Sequence, residues 1–407
     1  MSPFLQLALT LAVILLAAKL AGYASTKIGQ PSVLGELVVG LILGPSLLDI
    51  THFSFITDAH LGEIIAEMGE LGVLLLMFVA GFELHLSELT KNTRVSALSG
   101  LLGVVVPVLA GWGVGLAAGM PNQGALFLGL TMGATSVSIS AQTLMELKVL
   151  RSRVGLGVLG AAVFDDILVI LLLSAFLALS SSGGGWTEVL VIFLRMVAFL
   201  SLSTAFGIWL LPRLMHRVGR MGISQGVLTT ALVVMLAYGL LAELLGGMAA
   251  ITGTFVAGLM FARMPDRSRL EGGLHALAYS FFVPVFFVSI GLSMDLHQLS
   301  GGAWGLLAAV SAAAVLSKWL GAGLGARLGG FSWRESVQLG AGMIGRGEVG
   351  LIVAALGIRQ GLVDNATFSA VVAMILLTTL ITPPLLRALF KTSGPSEGQK
   401  AVQSRSQ

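Results

Sequence analysis

The sequence predicts an all-α polytopic membrane protein, and three observations predict it. Of 407 residues, 56% are hydrophobic and only 11% charged, against roughly a quarter charged in a soluble domain. Mean hydropathy is +0.95. The apolar residues fall in blocks suited to a bilayer core, which takes about 20 helical residues to cross. Long blocks of this kind are helices; the short alternating strands of a membrane barrel are excluded.

Apolar windows bordered by Gly, Pro and charged residues place thirteen spans: 4–22, 31–48, 62–83, 95–118, 124–145, 154–180, 188–212, 224–244, 248–262, 275–294, 303–327, 336–358 and 366–389. The first opens at Phe4 with no basic stretch before it and carries Lys19 near its far end, so it reads as a span and not as a cleaved signal peptide. The eighth and ninth divide at Gly246-Gly247, and the ninth is short. Basic residues support that division. Lys27; Lys91 and Arg94; Lys148, Arg151 and Arg153; Arg213, Arg217 and Arg220; Arg263, Arg267 and Arg269; Arg327 and Arg334; and Arg387, Lys391, Lys400 and Arg405 occupy alternate loops. Of the rest, only Arg359 lies in the opposite set, while Lys19, Arg195, Lys318 and Arg346 fall inside spans. The positive-inside rule makes the first set cytoplasmic, puts the C-terminus inside and, for an odd number of spans, the N-terminus outside. Merging spans eight and nine would break the alternation. The formal charge of +3 is spread thinly and reads as a topology signal, with no nucleic-acid partner expected. Cysteine is absent, so there is no disulfide and no thiolate metal site. Residues 391–407 read as a short polar cytoplasmic tail.

The chain repeats itself with opposite hand. Gly35-Glu36-Leu37-Val38-Val39-Gly40-Leu41 in span two and Gly253-Thr254-Phe255-Val256-Ala257-Gly258-Leu259 in span nine share glycine spacing and the following leucine. Spans three and ten align Gly81 with Gly291 and Leu86 with Leu296 at a similar offset. Two six-helix repeats, about 4–180 and 224–389, are therefore expected, with 188–212 as linker. Lys27 puts the start of span two inside and Arg263 puts the end of span nine inside, so the second copy is inverted. Inverted repeats are characteristic of secondary transporters, with the site near the midplane at the repeat interface. Helix packing alone is the competing explanation of the glycines.

Several charges lie where charge is expensive. Asp165 and Asp166 have apolar sequence for about two turns on either side, and a carboxylate at bilayer depth costs several kcal/mol unless it is paired or hydrated. Adjacent helix positions diverge by about 100°, so one aspartate can meet a fixed partner while the other faces a water-filled cavity. Lys318 is the matching cation, too deep in span eleven to snorkel easily, and a salt bridge to Asp165 is expected. Spans five and twelve look broken. Gly129, Gly133, Thr131, Thr135, Ser136, Ser138 and Ser140 crowd the first; Gly340, Gly342, Gly345, Gly347 and Gly350 flank Arg346 and Glu348 in the second. Interrupted helices at corresponding places in two repeats point to a transporter site, where unwound carbonyls coordinate cations. Carboxylate, carbonyl and hydroxyl oxygens, with neither Cys nor buried His, suit a hard monovalent cation. A carboxylate holds either that cation or a proton, which is sufficient for exchange.

With Gln30-Pro31, Gly35-Glu36, Ala134-Thr135-Ser136-Val137, Asp165-Asp166, Lys318 and Arg346-Gly347-Glu348-Val349-Gly350-Leu351 together, the sequence resembles bacterial monovalent cation:proton antiporters of the second family, especially the NapA-type sodium/proton antiporters, over nearly its whole length. The resemblance implies the NhaA/NapA-like fold with crossed discontinuous helices, and a homodimer in the bacterial inner membrane. Spans 1–3 and 8–10 would dimerise, and spans 4–6 and 11–13 would form a mobile core moving as an elevator. It implies Asp166 as the cation- and proton-binding carboxylate, Asp165 as the partner of Lys318, Thr135, Ser136 and Glu348 around the site, and Arg346 as a supporting charge. A transporter of Na+ and H+ is expected, with Li+ and K+ left open; no enzyme activity and no cofactor are expected. A potassium/proton antiporter is the rival within the family, although potassium-efflux relatives usually carry Gln-Asp in place of Asp165-Asp166. A passive cation channel and an intramembrane aspartyl protease are rivals from other classes, the latter disfavoured because adjacent residues on one helix are poorly placed to share one proton. Glu36 reads as a structural acid, Arg195 as meeting lipid headgroups or Glu188, and His52, His60, His85, His216, His275 and His297 as solvated.

Overall fold

Ser2 accepts the Leu5 amide and Pro3 occupies the first helical turn, where its missing N–H leaves nothing unpaired. The helix they start, α1 (Pro3–Lys27), opens a computed structural model that describes residues 1–50, 53, 56–58, 60–83, 92–180, 186–221, 224–264, 267–292, 303–347, 349–350, 353–354, 357 and 360–391. There follow α2 (Ser32–Leu43), α3 (Leu61–Phe82), α4 (Thr93–Ala117), α5 (Asn122–Gly133), α6 (Val137–Glu146), α7 (Arg153–Ser180) and α8 (Trp186–Trp209). Next come α9 (Leu211–Gly219), α10 (Gly226–Leu244), α11 (Ala250–Phe261), α12 (Arg267–Leu277) and α13 (Val283–Leu292), the last two joined by a π-helical turn at Ala278–Phe282. The chain closes with α14 (Ala303–Gly329), α15 (Trp333–Gly342) and α16 (Asn365–Lys391). Among the described residues there is no strand.

Among the described residues, ten stretches are long and apolar enough to cross a membrane, counting α5 with α6 and α12 with α13, and α2 and α11 are shorter apolar helices. The protein is a multi-pass membrane protein. Leu16, Leu20, Leu240 and Leu320 point out of the bundle, as lipid-facing side chains do. Gly246-Gly247 does divide two helices, with Gly247 in the left-handed region at φ 63°. Three boundaries differ from expectation. The second span, expected over 31–48, is helical only to Leu43 because Gly44 turns to extended backbone. The tenth begins at Arg267 and not near 275, since its first turns are too polar for an apolar window to catch. Helix α9 is a separate short element that buries Leu211 and Met215 and leaves Arg213 and Arg217 exposed. The tail from residue 392, together with Glu348, Leu351, Leu86 and Leu296, lies outside the described residues.

Backbone-to-backbone contacts at glycine organise the bundle. Gly40 meets the Val288 backbone and Gly291 meets Gly40, joining α2 to α13; Gly81 meets the Phe255 carbonyl and Gly258 the Phe78 carbonyl, joining α3 to α11. In α14, Gly321 and Gly325 meet the Leu102 and Leu98 carbonyls of α4. A Cβ at any of these positions would enter the neighbouring backbone, so the helices approach this closely only because the side chain is absent. Two packed bodies result. Helices α1–α3 and α10–α13 pack on one another, as do α4–α7 and α14–α16; α6 touches α2 and α3 across the boundary, and α8 contacts both bodies.

Candidate functional site

The fifth span breaks where its glycine and hydroxyl residues crowd together. Helix α5 stops at Gly133, Ala134 is extended at ψ 144° and Ser136 at ψ 110°, and α6 restarts at Val137. Helix α15, opened by a capping box between Ser332 and Glu335, stops at Gly342, and 343–347 run without helix. The two breaks meet. Ser136 N donates to Gly345 O at 2.8 Å, Ser140 Oγ donates to Gly342 O at 2.5 Å, and Gly347 lies directly against the Ser136 side chain. Each break thus satisfies backbone groups that the other leaves orphaned.

Lys318, fully buried on α14, donates to Asp165 Oδ1 at 2.7 Å and to Gly133 O at 2.8 Å. The second bond caps the C-terminal end of α5, the negative end of its dipole. The ammonium therefore turns inward and does not snorkel. Arg346 is also fully buried, donating to Ala314 O at 3.3 Å while its own carbonyl accepts from Thr379 at 2.5 Å. Asp165 Oδ2 and Arg346 Nε and Nη1 are buried without a hydrogen-bond partner, and Thr135 Oγ1 lies beside Asp165 without completing one. Orphaned buried polar atoms are rare in native structures, and a group of them at one point marks where an ion or water is accommodated.

Asp166, 6% exposed, accepts from Thr252 Oγ1 at 3.0 Å. The two side chains face a cavity of about 10 Å³ whose other walls are apolar, among them Met77, Val137 and Phe255. Of the sequence-derived site residues, Asp165, Asp166, Thr135, Ser136, Lys318 and Arg346 therefore gather around the two breaks, and Glu348 lies outside the described residues. Sequence reasoning missed Thr252 and Thr379, and it placed Ser140 in the broken span without its bond to Gly342. Thr252 immediately precedes Gly253 of the repeat motif, but nothing in that position says where its hydroxyl points.

A second cavity, of about 330 Å³, opens between the bodies at the Lys27 and Lys148 end, lined by Glu36, Glu83, Glu146, Lys19, His275 and Tyr279. Glu146 on α6 accepts from Ser32 N at 2.6 Å and Ser32 Oγ at 2.6 Å, and so caps the N-terminus of α2 from the other body. Glu36 is 6% exposed and makes no hydrogen bond or ion pair among the described residues, which does not fit a purely structural acid. Lys19 donates to the Tyr279 carbonyl at 2.7 Å, in the π-helical turn. Arg195 caps α10 through the Leu244 and Leu245 carbonyls at 2.6 and 2.8 Å, an alternative that the sequence reading did not include. His60 is exposed beside Glu63, whose hydrogen bond raises the imidazole above its ordinary value.

The sequence matches the family model for the transmembrane sodium/hydrogen exchanger over residues 12–392. It is 40% identical to the Na+/H+-K+ antiporter GerN of Bacillus cereus, covering 93% of this chain and 95% of that one. It is also 34% identical to a Na+/H+ antiporter of Enterococcus hirae, covering 94% and 97%. In fold it is similar to the sodium proton antiporter MjNhaP1 of Methanocaldococcus jannaschii, with a TM-score of 0.68 at 19% identity over 95% of this chain and 97% of that one.

Proposed function

The chain belongs to the transmembrane sodium/hydrogen exchanger family, and from that premise we propose that it is a secondary active antiporter exchanging Na+ for H+ by elevator-type alternating access. One observation carries the reading: of two adjacent buried carboxylates, one is locked and the other opens on a cavity. Asp165 is held by the Lys318 ammonium at 2.7 Å, whereas Asp166 lines a cavity and accepts there from the Thr252 hydroxyl, which belongs to the other body. Asp166 is the carboxylate that a cation or a proton reaches, never both at once. Its cavity is walled by apolar side chains, and a bare carboxylate crossing them costs several kcal/mol. Only the loaded or the protonated form therefore moves. Thr135, Ser136 and the carbonyls freed by the breaks are oxygen ligands of the type monovalent cations take.

The wider architecture follows the same reading. Counting α2, α11 and the segment from Trp333 past Gly350 as spans gives thirteen, with the N-terminus outside, the C-terminus cytoplasmic and the bacterial inner membrane as location. Glycine contacts support an inverted repeat, because span two packs on ten as three packs on nine, and the two breaks pack on each other. A pseudo-two-fold produces these exchanged pairs. The body containing α4–α7 and α14–α16 is the moving core, and the other body holds the homodimer. Potassium is the second reading, favoured by the K+ in the name of GerN.

In sealed proteoliposomes an imposed Na+ gradient should move protons uphill, and comparing Na+, Li+ and K+ with the potential clamped and unclamped fixes selectivity and charge per cycle. Downhill conductance without coupled proton movement would replace the antiporter with a channel.

A further inference from the structure

Most threonines buried in the described helices spend their hydroxyl on their own backbone. Thr131, Thr143 and Thr382 donate to carbonyls four residues back, and Thr254 to Ile251 O. Thr252 does otherwise. It is 3% exposed in the first turn of α11, and it reaches across the boundary between the bodies to Asp166 Oδ2 on α7. The side chains that close the cavity around this contact, including Leu159, Val163 and Ile251, are apolar. The hydroxyl is thus the polar group that the α11 side presents to Asp166 in that cavity.

A threonine hydroxyl carries one donor and two acceptor lone pairs, so it can answer every state of the carboxylate. It donates to the bare carboxylate, accepts from the protonated acid, and turns its oxygen toward a cation that sits on the carboxylate. Because α7 and α11 belong to different bodies, a slide of even one helical turn, about 5.4 Å, separates the pair. We propose that Thr252 is an ion-site residue contributed by the body that stays still, completing the site in only one of the two access states, so that cation affinity differs between the two faces of the membrane. This rests on the elevator reading above.

The test measures the apparent KM for Na+ with the ion offered at each face, using everted and right-side-out vesicles. Thr252→Val removes the hydroxyl at nearly constant shape, and Thr252→Ser restores it. The valine variant should raise KM about tenfold or more at one face and less than about twofold at the other, and the serine variant should recover most of the loss. An equal rise at both faces, no rise at either, or a serine variant as impaired as the valine one would overturn the proposal. Movement between the bodies is tested separately. The natural chain has no cysteine, so Ser32→Cys with Glu146→Cys provides a pair that a short thiol cross-linker can bridge, compared with the same variant untreated. Exchange that survives the bridge removes the elevator reading, whatever Thr252→Val does; exchange stopped by the bridge leaves the KM comparison to decide the role of Thr252.

Discussion

Asp165 beside the two breaks is wholly buried and held 2.7 Å from Lys318, while Glu36, in the larger cavity between the bodies, is 6% exposed and has neither hydrogen bond nor ion pair among the described residues. Both are carboxylates withdrawn from bulk water. The first is fully buried, and it is tolerated because a cation was buried with it. The second lines about 330 Å³, enough space for water to do the same work. A fixed counter-charge therefore marks the structured centre, and an acid without one marks a cavity with room for water.

This contrast can be broken or sharpened at four points. Asp166→Asn should bring exchange down to the level of empty liposomes while the protein still inserts and stays monodisperse; full activity in that variant would remove the centre as the seat of transport. Lys318→Met leaves Asp165 buried without its cation and should cost about 3–5 kcal/mol, read as a lower Tm in detergent. Adding Asp165→Asn should recover most of that loss, and a double variant no better than the single one would deny the coupling. Glu146→Gln weakens the cap on α2, with an expected loss of about 0.5–2 kcal/mol that Ser32→Ala should not deepen further. The smallest effect belongs to Glu36→Gln: a rise of about twofold in apparent KM for Na+ at low ionic strength, fading as salt screens the cavity. A loss as large as that of Asp166→Asn would make the two regions one site.

The sequence made much of the centre legible because charge in hydrocarbon is costly enough to have a single explanation. Lys318 could be matched to Asp165 across 153 positions since both had to be paired. The breaks were legible because glycine and hydroxyl residues crowd the middle of two otherwise apolar spans. Thr252 was not legible, for an isolated threonine in a span ordinarily bonds back to its own helix, as Thr131 and Thr143 do. Nor was the Glu146 cap, which joins residues 114 positions apart through no stronger signal than a serine after a proline. The π-helical turn at Ala278–Phe282 and the start of α12 escaped as well. The turn lies in sequence that reads as ordinary helix, and hydropathy windows register average burial, not backbone register.

The hydrogen bonds from Ser136 to Gly345 and from Ser140 to Gly342 bear on how the protein is made. About 200 residues separate the partners, which at a synthesis rate of about 5–20 residues per second amounts to about 10–40 s on the ribosome. During that interval the nascent first half holds a ruptured helix whose complement does not yet exist. The insertion machinery must shelter that segment, or keep it at the aqueous margin, until the later half arrives to mend it.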